Sequence, residues 1–412
     1  MFADLVAEGS WVEAIIERAQ PERKPIPKPD LRRMRVPMGP VVVFAASNFP
    51  LAFSTAGGDT VSALAGGNPV IVKAHGAHPG TSALVGEAIV KAAQTTGMPD
   101  GVFSLLHGSG EIVGQLLIKH PDVKAAGFTG SEKAGRILFD LANARSEPIP
   151  FFAEMGSINP VLLFPSAYNS NTAKILAESI NMGVGQFCTN PGIIIGISSA
   201  GFDQFIELLS ENMSGMDGGI MLTKQICNSY NHNVETALNQ EGINVEANPE
   251  SKEGPNTGQP TLASVSGEKF LANPSLAKEI FGPFSLVVKC KDELQLERMI
   301  TSLGGQLTGS VFGLESELEK YNLPIEAIKR KVGRVIYNGV PTGVEVCAPM
   351  QHGGPYPASS DSRFTSVGTE AIKRFVRPVS YQSWPNELLP LELKDDNPLN
   401  ILRLIDNQWT KN

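Results

Sequence analysis

Residues 181–192 read Asn-Met-Gly-Val-Gly-Gln-Phe-Cys-Thr-Asn-Pro-Gly, with Cys188 set among Gly183, Gly185, Pro191 and Gly192. Glycines let a backbone bend tightly and come close to a ligand. Read as a helix start, Pro191 would leave N–H groups pointing back at the thiol. A thiolate there would be stabilised and nucleophilic. The alternative is a buried structural cysteine. Glu154 is flanked by Phe151, Phe152, Ala153 and Met155. An acid in so apolar a run is expensive to bury without purpose, and a carboxylate in an apolar pocket can act as general base on water. It could also mark an exposed turn before Gly156. Asn48 follows the apolar run Val41–Phe44, so it stands where parallel sheets bind ligands. Otherwise it is a turn-forming residue before Phe-Pro.

These residues need a scaffold, and the composition allows a large one. The chain has 412 residues, enough for two or three domains, with 42% hydrophobic and 18% charged residues. A net charge of −8 and the lack of any Lys/Arg block argue against a nucleic-acid partner. Cys188, Cys227, Cys290 and Cys347 are far apart, and the six histidines form no H-x-x-x-H pair. That suits reduced thiols, with no disulfide frame and no metal site. The N-terminus lacks a signal-peptide core. The apolar runs Val41–Ala46 and Ile193–Ile195 are too short to span a bilayer. The expectation is a soluble, cytoplasmic protein without membrane or nucleic-acid partners.

The apolar spacing of residues 1–20 predicts one amphipathic helix. Residues 21–37 carry five prolines and read as an extended connector or edge strand. From Pro37 to Glu154 short apolar strands alternate with helices. The strands are Val41–Phe44, Val70–Lys73, Val102–Leu106, Val123–Phe128 and Ile149–Ala153; the helices between them cover about 54–65, 79–95, 111–119 and 132–142. Such runs imply a parallel sheet covered on both faces, a Rossmann-type arrangement. The alternation continues with a strand at Val161–Phe164 and a helix near 173–182. Residues 240–268 read as polar surface loops, and the pattern resumes beyond Phe281. The expected divisions are 1–36 as an N-terminal helix and bridging segment, 37–155 for dinucleotide binding, 156–350 for catalysis, and 351–412 as a C-terminal return and tail.

A phosphate site is less plain. Gly108-Ser-Gly-Glu-Ile-Val-Gly114 follows a strand, but its third glycine is one place late for G-x-G-x-x-G. Phe128-Thr-Gly-Ser131 also ends a strand and opens a helix. Gly130 and Ser131 could offer free N–H groups to a phosphate, or Ser131 could be an ordinary N-cap. Lys73 ends its strand at the ligand-binding side and can bind ribose hydroxyls or a phosphate. Ala74, His75 and Gly76 follow it with no acid, which leaves room for the 2′-phosphate of NADP. Glu111 would argue for NAD if it lay near that ribose.

Six pieces occur in one order: Ala46-Ser-Asn-Phe-Pro50, Val72-Lys73, Phe128-Thr-Gly-Ser131, Phe152-Ala-Glu-Met-Gly156, Gly185-Gln-Phe-Cys188 and Glu279-Ile-Phe-Gly-Pro283. That order resembles the aldehyde dehydrogenases over roughly residues 1–380. Within them the chain most resembles the bacterial α-ketoglutaric semialdehyde (2,5-dioxopentanoate) dehydrogenases, with an NADP-dependent fatty aldehyde dehydrogenase next. The stretches Gly57-Gly-Asp59, Lys73-Ala-His75, Gly353-Gly-Pro-Tyr-Pro357, Asp361-Ser-Arg363 and Arg374-Phe-Val-Arg-Pro378 carry this.

The resemblance implies an α/β fold with a Rossmann-type cofactor domain and an α/β catalytic domain. It implies oxidation of an aldehyde to an acid by NAD or NADP. Cys188 would form the thioester, Glu154 would activate water, and Asn48 with the Cys188 N–H would hold the oxyanion. Lys73, His75, Gly76, Gly130, Ser131, Glu279 and Phe281 would contact the cofactor. Glu279 would take the nicotinamide ribose and Phe281 would support the ring. Arg363 is a candidate anchor for a substrate carboxylate. A homo-oligomer, dimer or tetramer, is expected. Family members begin well before the position of Met1, so a shortened chain with altered assembly, or a non-catalytic remnant, is a competing expectation.

Overall fold

The computed structural model describes residues 1–249 and 254–411. The chain forms two compact units from interleaved segments. The first comprises Met1–Phe128, Leu138–Phe152 and Val367–Asn412; the second comprises Thr129–Ile137 and Ala153–Ser366.

The first unit contains most of a five-stranded sheet whose order is Phe103–Leu106, Val70–Lys73, Val41–Phe44, Ala125–Thr129, Phe151–Glu154. The first four strands run parallel. In chain order this is 3-2-1-4-5, which places a topological switch beside the end of Val41–Phe44. Val41, Val42 and Val70 are fully buried, as expected for continuous apolar strands with both faces covered. The helices Gly58–Ala65 and Pro79–Thr95 cross between strands. The segment before residue 120 departs from a plain helix: a π-type turn, Gly110–Gly114, precedes the short helix Gln115–Lys119.

A second sheet of this unit has the order Val376–Gln382, Leu31–Pro37, Ile15–Glu17, Arg403–Ile405, Gln408–Thr410. It corrects two expectations. The N-terminal helix covers only Phe2–Glu8, because Gly9 turns left-handed at φ 80°. A Cβ at Gly9 would also lie 2.3 Å from Ile401. Ile15 and Ile16 are strand residues. The proline-flanked segment ends in Leu31–Pro37, which is paired on both sides and is not an edge; Pro37 falls at its terminus, where a missing donor costs least.

The second unit is built on a seven-stranded sheet ordered Asn244–Ala247, Thr261–Ser266, Phe284–Cys290, Ile193–Ile197, Val161–Leu163, Gln306–Phe312, Val332–Tyr337. All neighbours are parallel except the first pair. Residues 240–268 are therefore not simply surface loops: Thr261–Val265 is a buried strand. Residues 250–253 of that stretch lie outside the described residues. The helices Ser170–Asn181, Ala200–Ser214 and Glu293–Ser302 bury their apolar faces within this unit.

Candidate active site

Cys188 lies between the helix Ser170–Asn181 and the strand Ile193–Ile197, in a turn and not at a helix start. Pro191 leads into the strand. The glycines before the thiol have steric reasons. Gly185 sits at φ 62° and a Cβ there would meet the Gly282 carbonyl carbon at 2.1 Å. Behind the thiol, Asn159 donates from Nδ2 to the carbonyls of Cys188 and Asn190, both at 2.9 Å. Asn159 is fully buried, and its Oδ1 accepts from Thr308 Oγ1 at 2.9 Å. Gln306 Oε1 accepts the Ile158 N–H at 2.7 Å. This network fixes the loop that carries the sulfur.

Glu154 ends its strand in the apolar run the sequence shows, and its side chain is only 4% exposed. His352 Nε2 lies 2.9 Å from Glu154 Oε1, and the histidine side chain has no exposure. The same Nε2 lies 3.5 Å from Cys188 Sγ. Ser366 Oγ donates to Glu154 Oε2. The backbone binds this group from both sides: Ser366 N–H donates to His352 O at 2.8 Å, and His352 N–H donates to Thr365 Oγ1 at 2.9 Å. Met155 N–H donates to Ala358 O at 2.8 Å.

Burial pushes the Cys188 thiol well above its usual range, and the negative charges of Glu154 and Glu279 push it the same way. The stabilised thiolate expected of a helix start is thus replaced by a thiol that keeps its proton. Attack requires that proton to move, and two of its neighbours can take it.

Glu279 Oε1 accepts the Ser157 N–H at 3.3 Å. Desolvation pushes its carboxyl up to about 7; the Ser157 hydrogen bond opposes this and Glu132 adds to it. Gly156 has no room for a side chain, since a Cβ would lie 2.5 Å from Glu279 Oε2. Glu279 and Phe281 line one cleft with Ser157, Gly185, Phe187 and Asn190. Gly130 does not offer a free N–H, because it donates to Glu154 O at 3.1 Å. Ser131 Oγ accepts from Ala134 N–H at 3.4 Å, which is the ordinary helix cap. Arg363, the candidate anchor for a substrate carboxylate, is exposed and paired with Asp361.

In the first unit, Asn48 follows the strand Val41–Phe44 in a partly exposed loop. That loop is fixed by His78, whose Nε2 lies 2.8 Å from Ala46 O and whose Nδ1 lies 3.1 Å from Ser82 Oγ. Lys73 is 9% exposed and has no ion-pair partner among the described residues; burial lowers its pKa. A buried, unpaired ammonium at a strand end suits a hydroxyl-rich or anionic ligand. Burial and Lys73 push His75 down to about 4, so it is neutral at pH 7. Gly76 is open, with nothing within 4 Å of a would-be Cβ. These features fit a dinucleotide.

A family signature, that of the aldehyde dehydrogenase family, matches residues 5–377. The chain belongs to the aldehyde dehydrogenase family. It is 48% identical to an α-ketoglutaric semialdehyde dehydrogenase from Acinetobacter baylyi, over all of this chain and 79% of that one. It is also 48% identical to α-ketoglutaric semialdehyde dehydrogenase 2 from Azospirillum brasilense, over 99% of this chain and 78% of that one. The fold is similar to that of a glyceraldehyde-3-phosphate dehydrogenase from Methanocaldococcus jannaschii complexed with NADP. There the TM-score is 0.74 and the identity 20%, covering 92% of this chain and 78% of the other. Like other members of the family, this aldehyde dehydrogenase uses NAD(P) and acts on an aldehyde. Among its described residues no helix is long and apolar enough to cross a membrane.

The sequence reading of this aldehyde dehydrogenase missed His352, Ser366 and Asn159. His352 lies 164 residues from Cys188, in a Gly/Pro-rich stretch without periodicity. Asn159 had one signal: a polar residue two places before the buried strand Val161–Leu163.

Proposed function

We propose that this chain oxidises 2,5-dioxopentanoate to 2-oxoglutarate through a thioester on Cys188. The contact of His352 with both Cys188 Sγ and Glu154 carries the thioester chemistry, and the 48% identity to two α-ketoglutaric semialdehyde dehydrogenases supports the substrate. Cys188 adds to the aldehyde carbon as its proton passes to the His352–Glu154 pair. The Cys188 N–H is one donor for the developing oxyanion, and the family resemblance gives the side-chain amide of Asn48 the same role. When bound, the nicotinamide supplies a hydride acceptor. Lys73, with His75 and Gly76 beside it, would hold the adenosine ribose side; Glu279 would take the nicotinamide ribose and Phe281 the ring. The absence of an acid after Lys73 favours NADP while allowing NAD. The pair gives up the thiol proton to solvent, and Glu154 then takes a proton from the water that hydrolyses the thioester, returning it as the Cys188 thiolate leaves.

Arg334 is our assignment for the substrate carboxylate. It is half-buried, has no acid partner among the described residues, and spends one nitrogen on the carbonyls of Pro341 and Gly343 at 2.8 and 3.0 Å. Gly343 N–H in turn donates to Thr189 Oγ1, next to the nucleophile. Four free cysteines suit a reducing cytoplasm. A homo-oligomer, checked by light scattering, completes the reading.

The test is formation of reduced nicotinamide by the full chain, offered 2,5-dioxopentanoate or a medium-chain aldehyde, each with NAD and with NADP. The expected order puts dioxopentanoate with NADP first. A preference for the medium-chain aldehyde would replace this substrate with a fatty one. Silence in all four arms from folded protein would mark a non-catalytic chain.

A further inference from the structure

His352 Nε2 faces two groups at once, a carboxylate oxygen at 2.9 Å and a sulfur at 3.5 Å. One ring nitrogen carries either a proton or a lone pair. With a proton it suits Glu154 but cannot accept from the thiol. With a lone pair it suits the thiol, and it then meets Glu154 well only if the carboxyl carries the proton; the thiol is itself within hydrogen-bonding reach of Glu154. A single cation held among the three ligand atoms would engage all of them together. The three ligand atoms, from Cys188, His352 and Glu154, lie within 4.8 Å of one another.

Two of the three ligand separations can be set against those of a particular ion. Tetrahedral zinc, with Zn–S about 2.3 Å and Zn–N about 2.0–2.1 Å, holds neighbouring ligand atoms roughly 3.3–3.6 Å apart. The sulfur–nitrogen separation already matches, and the nitrogen–oxygen one needs a slight opening. Thiolate, imidazole and carboxylate together suit a borderline-soft divalent ion. Ser366 holds Oε2 of Glu154, which leaves Oε1 beside His352 Nε2. That hydroxyl acts as the outer partner that orients metal-ligating carboxylates.

The geometry points to a three-ligand site for Zn²⁺ formed by Cys188, His352 and Glu154, whose occupation reversibly silences the nucleophile. Binding forms a Zn–S bond and releases the thiol proton to solvent; no electron changes hands. Water fills the fourth position. The inhibitory consequence rests on the proposed role of Cys188, but metal binding itself does not.

The test titrates the metal-free full chain with Zn²⁺ against a chromophoric chelator, and with Co²⁺ followed by visible absorption. One equivalent is expected, with tetrahedral d–d bands and a thiolate-to-cobalt charge-transfer band. Outer-shell losses cost about 10–100-fold in metal affinity, so Cys188→Ser and His352→Gln should each weaken binding by at least roughly tenfold. Cys347→Ser should bind like the parent. Zn²⁺ should halt aldehyde oxidation over the same concentration range, with recovery on adding EDTA. A parent chain without the charge-transfer band, or binding that survives Cys188→Ser or vanishes in Cys347→Ser, overturns the site. The parent spectrum and the near-isosteric Cys188→Ser keep the test decisive if His352→Gln fails to fold. Metal binding without any aldehyde oxidation would sink the catalytic reading alone. Turnover undiminished by saturating Zn²⁺ would sink this one alone.

Discussion

In each unit an acid is buried against a base, and the two pairs have opposite consequences. In the first unit Arg374 Nη2 lies 2.7 Å from Asp59 Oδ1, with side chains 4% and 10% exposed. In the second, His352 Nε2 lies 2.9 Å from Glu154 Oε1, with 0% and 4% exposure. Distances and burial are alike. A guanidinium, however, keeps its proton at any relevant pH, whereas an imidazole can exchange one near neutrality. The first pair is a fixed charge: Asp59 opens the helix Gly58–Ala65, where a negative charge is favoured, and fills the space that a Cβ on Gly127 would need. The second pair carries an imidazole in place of the guanidinium, and of the two it is the one that faces a thiol. Burial of an ion pair therefore does not mark chemistry; the acidity of the partner and the presence of a nucleophile do.

The comparison is tested most severely at the second pair. Cys188→Ser should lower kcat by roughly 10⁴-fold or more, as loss of a nucleophile does. Glu154→Gln should still form the acyl-enzyme, giving a burst of reduced nicotinamide, and then lose about 10²–10⁴ in steady rate as the water-activating base disappears. Rapid mixing resolves the two phases, and intact mass of the stalled protein reports the thioester. Both variants should unfold close to the parent midpoint. Steady turnover at the parent rate in Glu154→Gln would take that residue out of the mechanism.

The first pair should behave in reverse. Arg374→Met strands Asp59 as a buried, unpaired carboxylate, a change that costs about 3–5 kcal/mol. Arg374 also stacks over Phe375, with Cζ 5.0 Å from the ring centre, so part of the loss is packing. Denaturant titration should show the lower stability, while kcat per folded molecule stays near the parent value. A variant as stable as the parent but catalytically dead would erase the distinction between the pairs.

Asp59 and Arg374 both belong to stretches that carried the family resemblance, and their contribution is structural. The parallel strands were legible because Val41–Phe44 and Val70–Lys73 are unbroken apolar runs, which only a sheet covered on both faces produces. The N-terminal helix was over-read because apolar spacing alone does not register the stop at Gly9, whose left-handed turn packs on Ile401. Thr261–Ser266 read as loop because hydroxyl residues disguise a buried strand, yet its backbone is paired along Phe284–Cys290. Cys188 and Glu154 stood out through local context. His352 could not, because only the folded chain brings it to them.

A smaller effect is expected at Arg334. Loss of a charge-assisted hydrogen bond costs about 1.5–3 kcal/mol, so Arg334→Gln should lower kcat/KM for 2,5-dioxopentanoate by roughly 10–150-fold, mainly through KM. Pentanal, which has no carboxylate, should be oxidised as by the parent. An equal loss for both aldehydes would make Arg334 a loop support through Pro341 and Gly343, not an anchor.

The smallest effect concerns Glu279 and is one of pH. Its carboxyl is pushed up to about 7, chiefly by desolvation, so the folded protein holds that proton well above the usual carboxylate range. The ionised form is the better acceptor for ribose hydroxyls. KM for the dinucleotide should therefore fall a few-fold as pH rises through about 7, and Glu279→Gln should flatten that slope. Stability has the opposite sign: a raised carboxyl pKa means the folded state binds more protons than the unfolded one between the ordinary range and about 7. The parent should accordingly lose stability relative to Glu279→Gln across that window as pH increases. Such opposed trends separate a carboxylate kept for binding from one kept for folding, because an acid that served the fold would gain from its own ionisation. A KM slope unchanged in Glu279→Gln would assign the titration to another group.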